Sequence, residues 1–90
     1  MSDALARVEA FLAGTAEERL EDYVQFLRIP SISALSEHRE DMVRAAGFVA
    51  QRLEAWGLEH VEVSPTAGHP VVYADWLHAE GAPTVIVYGH

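Results

Sequence analysis

The sequence predicts an α/β chain in which three helices precede three strands. Two observations carry that reading. In residues 1–57 apolar side chains recur every three or four positions, whereas in residues 58–90 they alternate or run together. The composition is that of a folding chain, half hydrophobic and 22% charged. With 90 residues and no cysteine, disulfides and thiolate metal sites are excluded, and burial of a small core must do the work of folding.

The first helix is expected over residues 3–13, where Leu5, Val8, Phe11 and Leu12 form a stripe. Gly14 suits the left-handed position after a helix end. Thr15 and Glu18 read as a capping box, in which hydroxyl and carboxylate each satisfy an otherwise unpaired backbone N–H. The second helix places Leu20, Tyr23, Val24 and Leu27 on one face, and Pro30 stops it near Arg28. Residues 29–35 connect it to the third. Ser36 is the expected cap there, with Glu37, Glu40 and Asp41 close to the positive end of the dipole. Met42, Ala45, Val49, Leu53 and Trp56 give the stripe, and Gly57 is the expected terminator.

The strands begin at Leu58, where Val61 and Val63 alternate with His60 and Glu62. Residues 64–70 have loop chemistry. Residues 71–77 read as a second strand, and residues 78–83 as a turn. Residues 84–88, Thr-Val-Ile-Val-Tyr, are expected to be a strand buried on both faces. Such a strand needs neighbours and covering layers, so the chain reads as part of a larger domain. Phe48, Trp56, Tyr73 and Trp76 are expected to fill an interface between helices and sheet.

The charge narrows the function. Arginine is the only strongly basic residue type, and fourteen acidic residues bring the net charge to −8. This argues against nucleic-acid binding and against attraction to an anionic membrane. No run reaches the roughly 18 apolar residues of a membrane span. The first residues lack the basic start and apolar core of a secretory signal, so a cytoplasmic location is expected.

The segment Val85-Ile86-Val87-Tyr88-Gly89-His90 is where chemistry is expected. Catalytic and ligand-binding groups gather at the carboxyl ends of strands in α/β sheets. His90, after a glycine that permits close approach, is a candidate metal ligand, and neutral imidazole suits zinc. The other histidines carry plainer expectations. His38 is taken as exposed in the first turn of the third helix. His60 is expected to face solvent or an adjoining helix, His69 belongs to a turn, and His78 to the hairpin turn. Their regular spacing at 60, 69 and 78 is read as chance. Asp75, a charge inside an apolar strand, is expected to pair with a neighbour or to face a cleft. Ser31 and Ser33 lack the Gly-x-Ser-x-Gly setting of a nucleophile.

Val87-Tyr88-Gly89-His90 resembles the first metal-ligand motif of the M20 family of zinc peptidases and amidohydrolases. Leu27-Arg28-Ile29-Pro30-Ser31-Ile32-Ser33 is similar to the family's early helix ending at a Pro-Ser turn. Leu53-Glu54-Ala55-Trp56-Gly57-Leu58 is similar to the end of its amphipathic helix before the first strand. Pro70-Val71-Val72-Tyr73-Ala74 and Gly81-Ala82-Pro83-Thr84-Val85 resemble the hairpin leading to the metal-binding strand. The likeness is greatest to the dipeptidase-like branch and extends over nearly all of the chain.

The resemblance implies that residues 1–90 are the N-terminal portion of a three-layer α/β/α catalytic domain, with an inserted lid or dimerisation domain elsewhere and a homodimer as the intact protein. It implies hydrolysis of peptide or amide bonds in small substrates, dipeptides or acyl amino acids, by water activated between two zinc ions. Cobalt or manganese can stand in for zinc in such a site. Of the family's functional residues, His90 is the one matched here. The bridging Asp, the other ligands, the general-base Glu and the Asp that orients the first His belong to positions after residue 90. Two other readings stay open. One is a non-catalytic 90-residue binding or interaction module. The other is a metal carrier that uses several of the five histidines.

Overall fold

Helices and strands follow in the expected order: α1 (Ser2–Gly14), α2 (Ala16–Leu27), α3 (Arg39–Ala55), then β1 (Glu59–Ser64) and β2 (Val71–Asp75). The structure is a computed structural model and describes residues 2–90. It divides within α3 into two units, one ending at Ala45 and the other spanning Ala46–His90.

In the first unit the junction of α1 and α2 differs from the expected one. Gly14 belongs to α1, and among the described residues the glycines with positive φ are Gly57 and Gly81. Thr15 does not cap α2. Its hydroxyl turns back and donates to the Phe11 carbonyl at 2.7 Å. Arg19 then bonds Thr15 Oγ1 through Nε at 3.1 Å and the Leu12 carbonyl through Nη2 at 2.7 Å. The Phe11 and Leu12 carbonyls in the last turn of α1 thus accept from side chains.

α2 ends one residue before the expected position. The Arg28 and Ile29 N–H groups close its last turn on Val24 and Phe26 at 3.1 Å each, and Pro30 follows. Ser36 does not cap α3 either. Residues Ser36–His38 form a short 3-10 turn, and α3 starts at Arg39. His38, expected in solvent, is half-buried. Its Nδ1–H donates to Asp41 Oδ2 at 2.9 Å, while Arg44 holds Asp41 Oδ1 at 2.8 Å. The His38 hydrogen bond, seconded by Arg44, lowers the Asp41 carboxyl below its ordinary value against the opposing effect of burial.

The end of α3 is as the sequence predicts. Gly57 has φ 91°, its N–H reaches the Glu54 carbonyl at 3.0 Å, and the Leu58 N–H reaches Leu53 at 3.0 Å. Those paired bonds define a Schellman motif, whose left-handed residue favours glycine.

In the second unit β1 and β2 pair antiparallel, with Ser64 opposite Val71 and Glu62 opposite Tyr73. The register then breaks, and Glu59 lies opposite Asp75. β1 therefore advances three residues where β2 advances two, which is a β-bulge. His60, inside it, adopts φ 54°. Beyond β2, Ala82 N–H bonds Ala79 at 3.1 Å with Gly81 at φ 77°, the positive value that a type II turn requires.

Two further expectations are corrected. Residues 84–88 form no strand: the sheet has two strands, and Val85, Ile86, Val87 and Tyr88 are 81–91% exposed. Trp56, Tyr73 and Trp76 are exposed as well, so they fill no interface. The buried apolar side chains among the described residues are the small Ala45 and Ala50. A two-stranded pair has too little surface to cover a third apolar strand, and without a covering layer the aromatic rings stay in water. The mixed helix-and-strand class is observed.

Candidate functional site

The bulge decides which side chains meet. In a regular strand, consecutive residues point to opposite faces. The left-handed turn at His60 breaks that alternation, and His60 shares Asp75 with its neighbour Glu59. His60 Nδ1 lies 2.7 Å from Asp75 Oδ1. A carboxylate can only accept, so the imidazole Nδ1–H is the donor. Tyr73, two residues before Asp75 on the same face of β2, donates its hydroxyl to Asp75 Oδ2 at 2.9 Å. Asp75 is thereby bonded through both oxygens.

Beside it, Glu59 Oε1 accepts from His78 Nε2 at 2.7 Å. The His78 ring also stands edge-on to Trp76, with centroids 5.3 Å apart. One ligand atom from each of Glu59, His60 and Asp75 falls within 4.8 Å of the others. The Asp75 side chain is 16% exposed and that of His60 is 73% exposed, so the cluster has a shielded carboxylate and an open imidazole.

Electrostatics follow from these bonds. The hydrogen bond and charge of Asp75, with the charge of Glu59, raise the His60 imidazole above its ordinary value despite some desolvation. The bonds from His60 and Tyr73 lower the Asp75 carboxyl. The same Tyr73 bond, together with the negative charge it faces, raises the phenol, because ionising it would set two anions side by side.

His90 stands apart from this cluster. It is exposed, and its Nδ1 lies 3.2 Å from the Tyr88 hydroxyl, with ring centroids 6.3 Å apart. It belongs to no group of three or more potential metal-ligating side chains among the described residues. A two-zinc centre needs several carboxylate and imidazole ligands. His90 by itself supplies one such ligand.

The sequence signalled part of the cluster. Asp75 was expected to pair, and it does, with His60 and Tyr73. His60 is expected to face solvent or an adjoining helix; it is exposed, and its bond to Asp75 is not legible because the bulge that enables it leaves no mark in the alternation of Val61 and Val63. His78 was expected in a turn, and its Glu59 partner lies 19 residues away.

Comparison with protein-family models, with curated proteins and with solved structures gives no match to this chain. The likeness to zinc peptidases thus rests on the residues quoted for it.

Proposed function

We propose that this chain is the N-terminal portion of a cytoplasmic, metal-dependent hydrolase that cleaves peptide or amide bonds of small substrates, with His90 as one of its metal ligands. The observation that carries the reading is the segment Val85–Tyr88 ahead of Gly89-His90. Its side chains are 81–91% exposed, a state in which four consecutive large apolar residues gain nothing from folding. A sheet contributed by further chain would cover them and would fix His90 at a strand end. The helix stop before Pro30 and the helix end at Gly57 fall where the quoted segments of the resemblance have them. Among the described residues, no helix is long and apolar enough to cross a membrane.

One ligand makes no hydrolytic centre. The 90-residue chain alone is therefore expected to hydrolyse neither dipeptides nor acyl amino acids with zinc, cobalt or manganese supplied. The test is the protein purified from its native source, measured for mass and assayed on both substrate classes. The reading expects a polypeptide longer than this chain, whose hydrolysis stops on chelation and in the His90→Ala variant. A native protein inactive on both classes with each metal supplied, or active and indifferent to His90→Ala, overturns it.

A further inference from the structure

The geometry points to a second cation site, separate from His90, in which Glu59, His60 and Asp75 hold one first-row divalent metal ion on the β1–β2 bulge. Three observations converge on it. The first is placement. Ligand atoms from all three residues lie within 4.8 Å of one another, so small side-chain rotations would bring them onto bonds of about 2.0–2.2 Å to one ion.

The second is the backbone. His60 is the non-glycine residue with positive φ among the described residues, and that conformation is uncommon for a side chain with a Cβ. It is what turns the imidazole to the carboxylate of Asp75. Histidine is among the non-glycine residues that adopt this conformation more readily, so the bulge brings an imidazole to Asp75 at 2.7 Å.

The third is charge. From residue 53 to the end, the sequence has no Lys or Arg, while Glu54, Glu59, Glu62, Asp75 and Glu80 are acidic. Glu59 and Asp75 instead pair with the imidazoles of His78 and His60. A divalent cation compensates both carboxylates at once and takes the place of the proton shared by His60 and Asp75.

The donor set indicates the kind of metal. One imidazole with two carboxylates suits zinc, manganese, cobalt or nickel. The absence of cysteine disfavours copper(I). Tyr73, bonded to Asp75, and His78, bonded to Glu59, orient the two carboxylates from outside.

The experiment is titration of the metal-free 90-residue chain with zinc chloride, followed by calorimetry and by nitrogen shifts of the histidine rings. The expected result is saturable binding of one ion per chain with the His60 ring nitrogens shifting first. Affinity falls at least about tenfold in Asp75→Asn and in His60→Asn, and Tyr73→Phe, which removes an outer partner, loses a similar factor. His60→Asn tolerates the left-handed backbone, and cross-strand contacts between Val63 and Val72 report whether the pair still forms. His90→Ala leaves the affinity unchanged. Binding that disappears in His90→Ala while His60 is silent, or no saturable binding by the wild-type chain up to millimolar zinc, overturns the assignment. Because the wild-type ring shifts locate the ion directly, the outcome does not depend on how the variants fold.

Discussion

His60 and Asp75 lie 15 residues apart in sequence, yet the His60 Nδ1–H meets Asp75 Oδ1 at 2.7 Å across the bulge that offsets β1 from β2. The bond joins the two strands at the point where their regular pairing is interrupted. Its strength depends on both groups being charged, which gives it a defined pH window.

In metal-free solution the His60–Asp75 pair is expected to stabilise the β1–β2 hairpin most between the two titrations. The folded His60 value is raised, so its contribution is present in full below the unfolded value near 6.5 and is lost as pH rises through the folded value. The folded Asp75 value is lowered, so its contribution is present above the unfolded value near 3.9 and is lost as pH falls through the folded value. Cross-strand amide shifts followed against pH should therefore show the hairpin most populated at about pH 4–6.5. In Asp75→Asn the His60 ring should titrate at lower pH than in the wild type. An unchanged His60 titration would show that the bond is not populated in solution.

Gly57→Ala is expected to weaken the end of α3. No atom lies within 4 Å of where a Cβ would stand, so steric crowding contributes nothing. The cost comes from φ 91° and amounts to about 1–2 kcal/mol, the penalty of a left-handed conformation for a residue with a Cβ. Thermal melting followed by helical circular dichroism measures it. Gly14→Ala, at a helical position, should instead raise helix content by up to ~1 kcal/mol of propensity.

Arg19→Ala should fray the end of α1, because two bonds, to Thr15 Oγ1 and to the Leu12 carbonyl, are lost together. A loss of about 1 kcal/mol is expected for such exposed bonds. Glu18→Gln should change stability by less than ~0.5 kcal/mol, since Thr15 forms no side-chain cap there and the capping box is not made. Hydrogen exchange at the junction of α1 and α2 distinguishes the two variants.

Ile86→Glu is expected to reduce self-association of the 90-residue chain. Ile86 is 88% exposed within a continuous apolar segment, and a charge on such a segment opposes both edge pairing and aggregation. Sedimentation of wild type and variant over a concentration series tests this. Equal behaviour of the two would place any association elsewhere on the surface.

Helix positions were legible wherever a local rule is strong. Pro30 ends α2 and Gly57 ends α3, because each acts through its own backbone and needs no distant partner. The junction at Thr15 was less legible. Its hydroxyl had two possible acceptors or donors nearby, and Arg19, four residues on, favoured the turn behind it over the one ahead.

The candidate cluster lay largely beyond the sequence. Period-two alternation identifies Tyr73 and Asp75 as residues of one face, but it cannot reveal that Glu59 and His60 both reach Asp75. That depends on register, and register arises from pairing between strands rather than from either strand alone. The same limit applies to residues 84–88. Their apolar, β-branched run specifies a preference for burial, a property of side chains in water. Whether the preference is met depends on neighbouring strands and a covering layer. In this structure the sheet stops at two strands, and Val85–Tyr88 remain in solvent.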